Sequence, residues 1–135
     1  MPFVIKTDPV ICNIGDQVIN SEKVRAGDER LRRGDEVFLW FSEQKGKQNR
    51  EGLAWQGHIS ETRDINIENN VVVVHVSNAV SAETYLGKKP IKNFRNNDDD
   101  GPLTELARGL YRHAHNKVLE INHETADFIR QYFNR

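Results

Sequence analysis

The stretch Leu31-Arg-Arg-Gly-Asp-Glu-Val-Phe-Leu-Trp-Phe-Ser42 holds a turn and then a strand. Gly34-Asp35 is the turn: glycine reaches positive φ at little cost, and an Asp side chain can bond its own backbone two residues on. Val37 to Phe41 is an unbroken run of β-branched, aliphatic and aromatic side chains. So short an apolar run, bounded by turn residues, reads as a strand buried on both faces. Such a strand belongs in the middle of a sheet or barrel. It delivers Trp40, Phe41 and Ser42 to the point where apolar core gives way to loop, a place suited to an aromatic pocket with a polar rim.

On the C-terminal side of this strand, Gln44 to Gly52 is a polar, glycine-punctuated hairpin loop. Leu53, Trp55, Gly57 and Ile59 then alternate with Ala54, Gln56, His58 and Ser60, the period of an antiparallel partner strand. Ile65 and Ile67 lead to an Asn69-Asn70 turn, and Val71 to Val76 is a third long strand. On the N-terminal side, Pro2 to Lys6 reads as a short strand that Thr7-Asp8-Pro9 ends. Residues 10–20 fit neither period well, and Ser21 to Arg32 predicts a short helix with Ser21 at its N-cap and Val24 and Leu31 inward.

Residues 77–101 form a long irregular stretch. After Pro102, Leu103, Leu106, Ala107, Leu110, Tyr111 and Ala114 recur at helical spacing. Val118 to Ile121 is a short strand, and Asn122 caps a last helix carrying Ala126, Ile129 and Phe133. The order predicts an α+β fold: long and short strands curled into a small, partly open antiparallel β-barrel with flanking helices. No internal repeat or linker divides it, so residues 1–135 are expected to form a single domain.

Charged residues make up 29% of the chain and hydrophobic ones 37%. No apolar stretch approaches the roughly 20 residues of a membrane span, and Met1 to Lys6 lacks the pattern of a signal peptide. The lone Cys12 rules out an internal disulfide and fits a reducing cytoplasm. A formal net charge of −1 gives no global attraction to nucleic acid, so a polyanion would need a local basic patch. Two clusters could supply it. Lys45, Lys47 and Arg50 crowd the hairpin loop, and Lys88, Lys89, Lys92 and Arg95 crowd the irregular stretch. Gathered on one barrel rim, they could follow a phosphate backbone.

Other chemistries find no support. His113 and His115 are two apart, His58 and His75 lie on predicted strands, and His123 lies in a cap; no metal-ligand spacing links them. Cys12 beside Ile11 reads as a small buried hydrophobe. There is no Gly-x-Ser-x-Gly elbow and no phosphate-binding glycine loop. The expectation is a protein without metal, cofactor or catalytic constellation.

Four segments together resemble the EVE domain family, a PUA-like branch related to YTH domains. Ile5-Lys6-Thr7-Asp8-Pro9 is similar to its Lys-Ser-Glu-Pro turn, and Val24-Arg25 with Leu31-Arg32 to its Val-Arg-Asn and Leu-Arg pair. Gly34 to Ser42 resembles its Gly-Asp-x-Val-Phe-Phe-Tyr-His-Ser strand, and Leu53 to Ile59 stands where the family has Ile-Val-Gly-Ile-Ala. The chain departs from the pattern at Ser21, in a region where the family commonly has Trp, at Ala26 in place of Asn, and at Trp40-Phe41 in place of Tyr-His.

The resemblance implies a reader of bases in DNA or RNA, modified ones included, that receives the base flipped from its stack. A partner nuclease or base-modifying enzyme fits the same reading. The implied pocket lies between the end of the first strand, the 10–25 segment and the end of the central strand. Trp40 or Phe41 would stack on the base, Thr7 and Ser42 would bond its edge, and Lys6 and Arg25 would hold flanking phosphates. Two other classes stay open: an accessory module of a nucleotide-processing enzyme, and a protein-interaction module.

Overall fold

The computed structural model describes residues 2–7, 12–14, 18–25, 31–41, 52–66, 71–84, 86–87, 91, 94, 99, 101–112 and 118–133, with backbone only for Thr7 and residues 12–14, 18–25, 62–66, 71–73 and 111–112. The strands are β1 (Pro2–Thr7), β2 (Cys12–Ile14), β3 (Val18–Arg25), β4 (Glu36–Phe41), β5 (Gly52–Asn66), β6 (Val71–Ser81) and β7 (Val118–Glu120). They form one sheet in the order β2-β3-β6-β5-β4-β1-β7. The helices are α1 (Pro102–Ala107), continued by a π-helical turn (Arg108–Arg112), and α2 (His123–Arg130). None of the described helices is long and apolar enough to cross a membrane.

β4 sits inside the sheet with apolar residues on both faces, as its composition requires. Val37 and Leu39 join Phe3, Ile5, Ile59 and Val76 in one core. Phe38 and Trp40 join Val4, Leu106, Ala126 and Ile129 in another, beneath the helices. The first core fills the concave side of the sheet, which curls until β1 comes within 8 Å of β3, measured between Cα atoms. The barrel is open: β1 pairs with β4 and β7, and β3 with β2 and β6. The predicted α+β architecture, a partly open barrel with flanking helices, is thus present, but the sheet is mixed, because β1 runs parallel to β4.

The turn before β4 forms as expected. Gly34 has φ +95°, the Asp35 amide donates to the Arg32 carbonyl at 3.0 Å, and the Arg32 amide donates to Asp35 Oδ2 at 2.8 Å. The predicted Ser21–Arg32 helix does not. Residues 18–25 are a strand paired antiparallel to β6, and Leu31 to Asp35 are a non-helical lead into β4. The physical reason is that Val18, Ile19 and Val24 are β-branched, and pairing with the valine-rich β6 satisfies backbone groups that an isolated short helix could not.

The pairing of β4 with β5 is antiparallel, but Leu39 faces Trp55 and Trp40 faces Leu53, which leaves Ala54 as an extra residue. This bulge reverses the alternation. Leu53 therefore packs under the helices while Trp55 packs toward the barrel interior, although the simple period put them on one face. β6 continues to Ser81, five residues into the stretch expected to be irregular.

Candidate nucleic-acid interface

Parallel pairing of β1 with β4 aligns Lys6 with Trp40 and Thr7 with Phe41. Two segments more than thirty positions apart in the sequence thus end side by side at one end of the sheet. Of the two aromatic rings, Trp40 is 1% exposed and belongs to the helix-side core, whereas Phe41 is half-buried against the barrel-side core. Only Phe41 keeps surface at this end. Trp40 is a packing residue, because alternation along β4 turns it toward α1 and α2.

Lys6 is half-buried, and its Nζ donates to the Leu110 carbonyl at 3.1 Å. That carbonyl lies in the π-helical turn, where unpaired C=O groups and the negative end of the helix dipole favour a cation. One donor of Lys6 is therefore committed to the fold. Arg25 closes β3 opposite Val71. Ser21 lies in β3 opposite Cys12 on one side and Val74 on the other. Ser42, Lys45, Lys47, Arg50, Lys88, Lys89, Lys92, Arg95 and Ala26 lie outside the described residues, as do His113 and His115.

A cleft of about 580 Å³ opens elsewhere, between the start of β4, the β5–β6 pair and α2; Glu36, Gln56, Val80, Glu83, Arg130 and Phe133 line it. Its floor is an ion pair that no sequence signal announces, since the partners are 94 positions apart. Arg130 donates from its Nε at 3.2 Å to each Glu36 oxygen, and from a terminal nitrogen at 2.5 Å to Glu36 Oε1; another terminal nitrogen donates to Asp127. Gln56 Nε2 adds a bond to Glu36 Oε2 at 3.0 Å. Burial alone pushes the Glu36 carboxyl up, but the Arg130 hydrogen bonds and charge, with help from Gln56 and His58, hold it below the usual carboxylate range. The same pair raises the Arg130 guanidinium. Among the described residues no group of three or more His, Cys, Asp or Glu could hold a metal ion.

The sequence matches no family model and no curated protein. Solved structures do resemble it. The human THYN1 protein in complex with 5-methylcytosine-containing DNA is 16% identical, with 99% of this chain and 98% of that chain covered and a TM-score of 0.69. The DUF55 domain of human thymocyte nuclear protein 1 is 14% identical, with 99% of each chain covered and a TM-score of 0.67. A protein from Pseudomonas putida is 15% identical, with 98% and 99% covered and a TM-score of 0.65. At these identities the likeness establishes architecture alone, and the chain has the α+β fold of the DUF55 domain.

Proposed function

We propose that this chain is a non-catalytic nucleic-acid-binding domain that reads a base flipped out of its stack, a modified base included. The observation that carries the reading is the β1–β4 register. It pairs Thr7 with the half-buried Phe41 at one end of the sheet, one residue beyond the Lys6–Trp40 pair. The fold likeness to human THYN1, solved with 5-methylcytosine-containing DNA, supports it.

The energetics are consistent. Flipping costs a few kcal/mol of lost stacking, and an aromatic face returns roughly 1–3 kcal/mol per base. Full burial of a methyl group adds about 0.8 kcal/mol. A modest preference for a methylated base therefore needs only a snug apolar slot beside Phe41.

The test is binding across paired modified and unmodified DNA and RNA oligonucleotides. Phe41→Leu keeps apolar packing but removes the stacking face. It should weaken binding roughly tenfold, a little over 1 kcal/mol, with little change in melting temperature. Equal affinity for wild type and Phe41→Leu would remove this ring from the site. A second reading, a protein-interaction module, draws on the cleft by α2, whose rim carries Val80 at 44% exposure. Salt separates the two, since phosphate contacts make affinity fall steeply with ionic strength.

A further inference from the structure

We propose that the cleft beside α2 is a docking groove for a basic segment of a partner protein, a Lys or Arg side chain next to an apolar one, and that it works apart from the base site. The inference gives the protein-interaction reading a partner chemistry and does not depend on base reading.

The groove is built from anchored parts. Phe133 supplies one apolar surface, and its ring rests on buried Phe38 with centroids 5.9 Å apart. Trp55 of β5 and Val80 of β6 supply the rest. Val80 is the one large hydrophobic residue that stands exposed among the described residues. The amides of Glu83 and Thr84 donate to the Tyr132 carbonyl at 2.8 and 3.1 Å, which ties the segment after β6 to the segment after α2. The floor is the Glu36–Arg130 pair, with Gln56 fixed to it. Walls held in this way need little ordering to receive a ligand.

Charge selects the occupant. Glu36 and Glu83 line the cleft against Arg130, and Arg130 also holds Asp127. Three carboxylates thus answer one guanidinium, an excess of two negative charges. Both Glu36 oxygens already accept from Arg130 or Gln56, so a further cation is drawn by the exposed Glu83 and by the net field. That field repels phosphate, and it equally repels the same patch on a second copy of the chain. It attracts a Lys or Arg head, whose aliphatic stem would cover Val80 and Phe133. Glu36 and Phe41 are the two ends of β4, about 17 Å apart at roughly 3.3 Å per residue. Partner and nucleic acid therefore have room to bind together.

The experiment pans a phage-displayed library of random heptapeptides against the full chain and measures the selected peptides by fluorescence anisotropy. Sequences with Lys or Arg beside an aliphatic or aromatic residue should dominate. Glu83→Lys should weaken their binding roughly tenfold and Val80→Ser roughly fivefold, with melting temperatures unchanged because both residues are exposed. Glu83→Gln reads the same loss should Glu83→Lys unfold. Glu61→Lys, the same reversal at an exposed residue of β5 outside the cleft, should leave affinity as it is. A selection that yields no basic peptides, or binders that Glu83→Lys and Glu61→Lys weaken equally, overturns the inference and leaves base reading intact. A 5-methylcytosine duplex should not displace the peptide; competition would put nucleic acid in the cleft and overturn the inference. A chain that binds the peptides as expected but no duplex loses base reading alone.

Discussion

Glu36 and Gly57 show how much single side chains decide here. Glu36 is 17% exposed and Arg130 37%, so solvent screens their attraction only in part. The Glu36 carboxyl is held below its ordinary value, which means that the unfolded chain takes up this proton first as pH falls. The pair's contribution to stability is present above the ordinary Glu value of 4.5 and is lost as pH drops through the lower folded value. Thermal melts at stepped pH should show the wild type losing stability across that window. Glu36→Gln should be less stable at neutral pH and lose less on acidification, and parallel curves would refute the linkage.

Gly57 is required for a different reason: a Cβ there would sit 2.5 Å from Val76 Cγ1 and 2.8 Å from the Ser77 carbonyl oxygen. Opposite it β6 bulges, with Asn78 at φ 54°. Gly57→Ala should destabilise by about 1–3 kcal/mol, read by urea denaturation. A neutral result would mean that the bulge yields freely.

The helical elements are joined by one carboxylate. Asn122 caps α2 by accepting from the Thr125 amide at 2.8 Å. Glu105, from α1, accepts from the Asn122 amide at 3.0 Å and from the Thr125 hydroxyl at 2.8 Å. Thr125 is fully buried, so no water replaces that acceptor. Glu105→Ala should cost about 1–3 kcal/mol. In a double-mutant cycle it should be non-additive with Asn122→Ala; simple additivity would show that the two helix ends are independent. The Asn122 cap is legible in the sequence because capping is local, whereas Glu105 is not, because its partners lie 17 and 20 positions away. The strand elements divide the same way. Two-faced burial of β4 follows from its own residues. The bulge at Ala54 does not, since an alternating pattern with one inserted residue looks like an alternating pattern.

Across the whole molecule, the sheet ends in two three-residue strands, β2 and β7, short edges of the kind that resist edge-to-edge association. The basic loop before β5 tests how far the interface extends. Reversing Lys45, Lys47 and Arg50 together should weaken binding to every oligonucleotide alike and flatten the salt dependence, because phosphate contacts position without specifying sequence. Unchanged affinity in the triple variant would remove this loop from the interface.

Local chemistry was sufficient for the Gly34-Asp35 turn, the central strand, the β5 and β6 strands, and a capped last helix, for each depends on residues within one or two turns of chain. Non-local pairing settled the rest. Residues 18–25 became a strand because β6 offers a long partner edge, which outweighs a weak helical preference. Trp40 and Phe41 were both candidates for stacking until the packing of α1 and α2 buried one face of β4. Thr7 meets Phe41 only because β1 enters parallel to β4, and no periodicity in either segment encodes that register. Chain segments carry their own patterning, but which segments become neighbours is decided by the burial that the complete sheet and its helices achieve together.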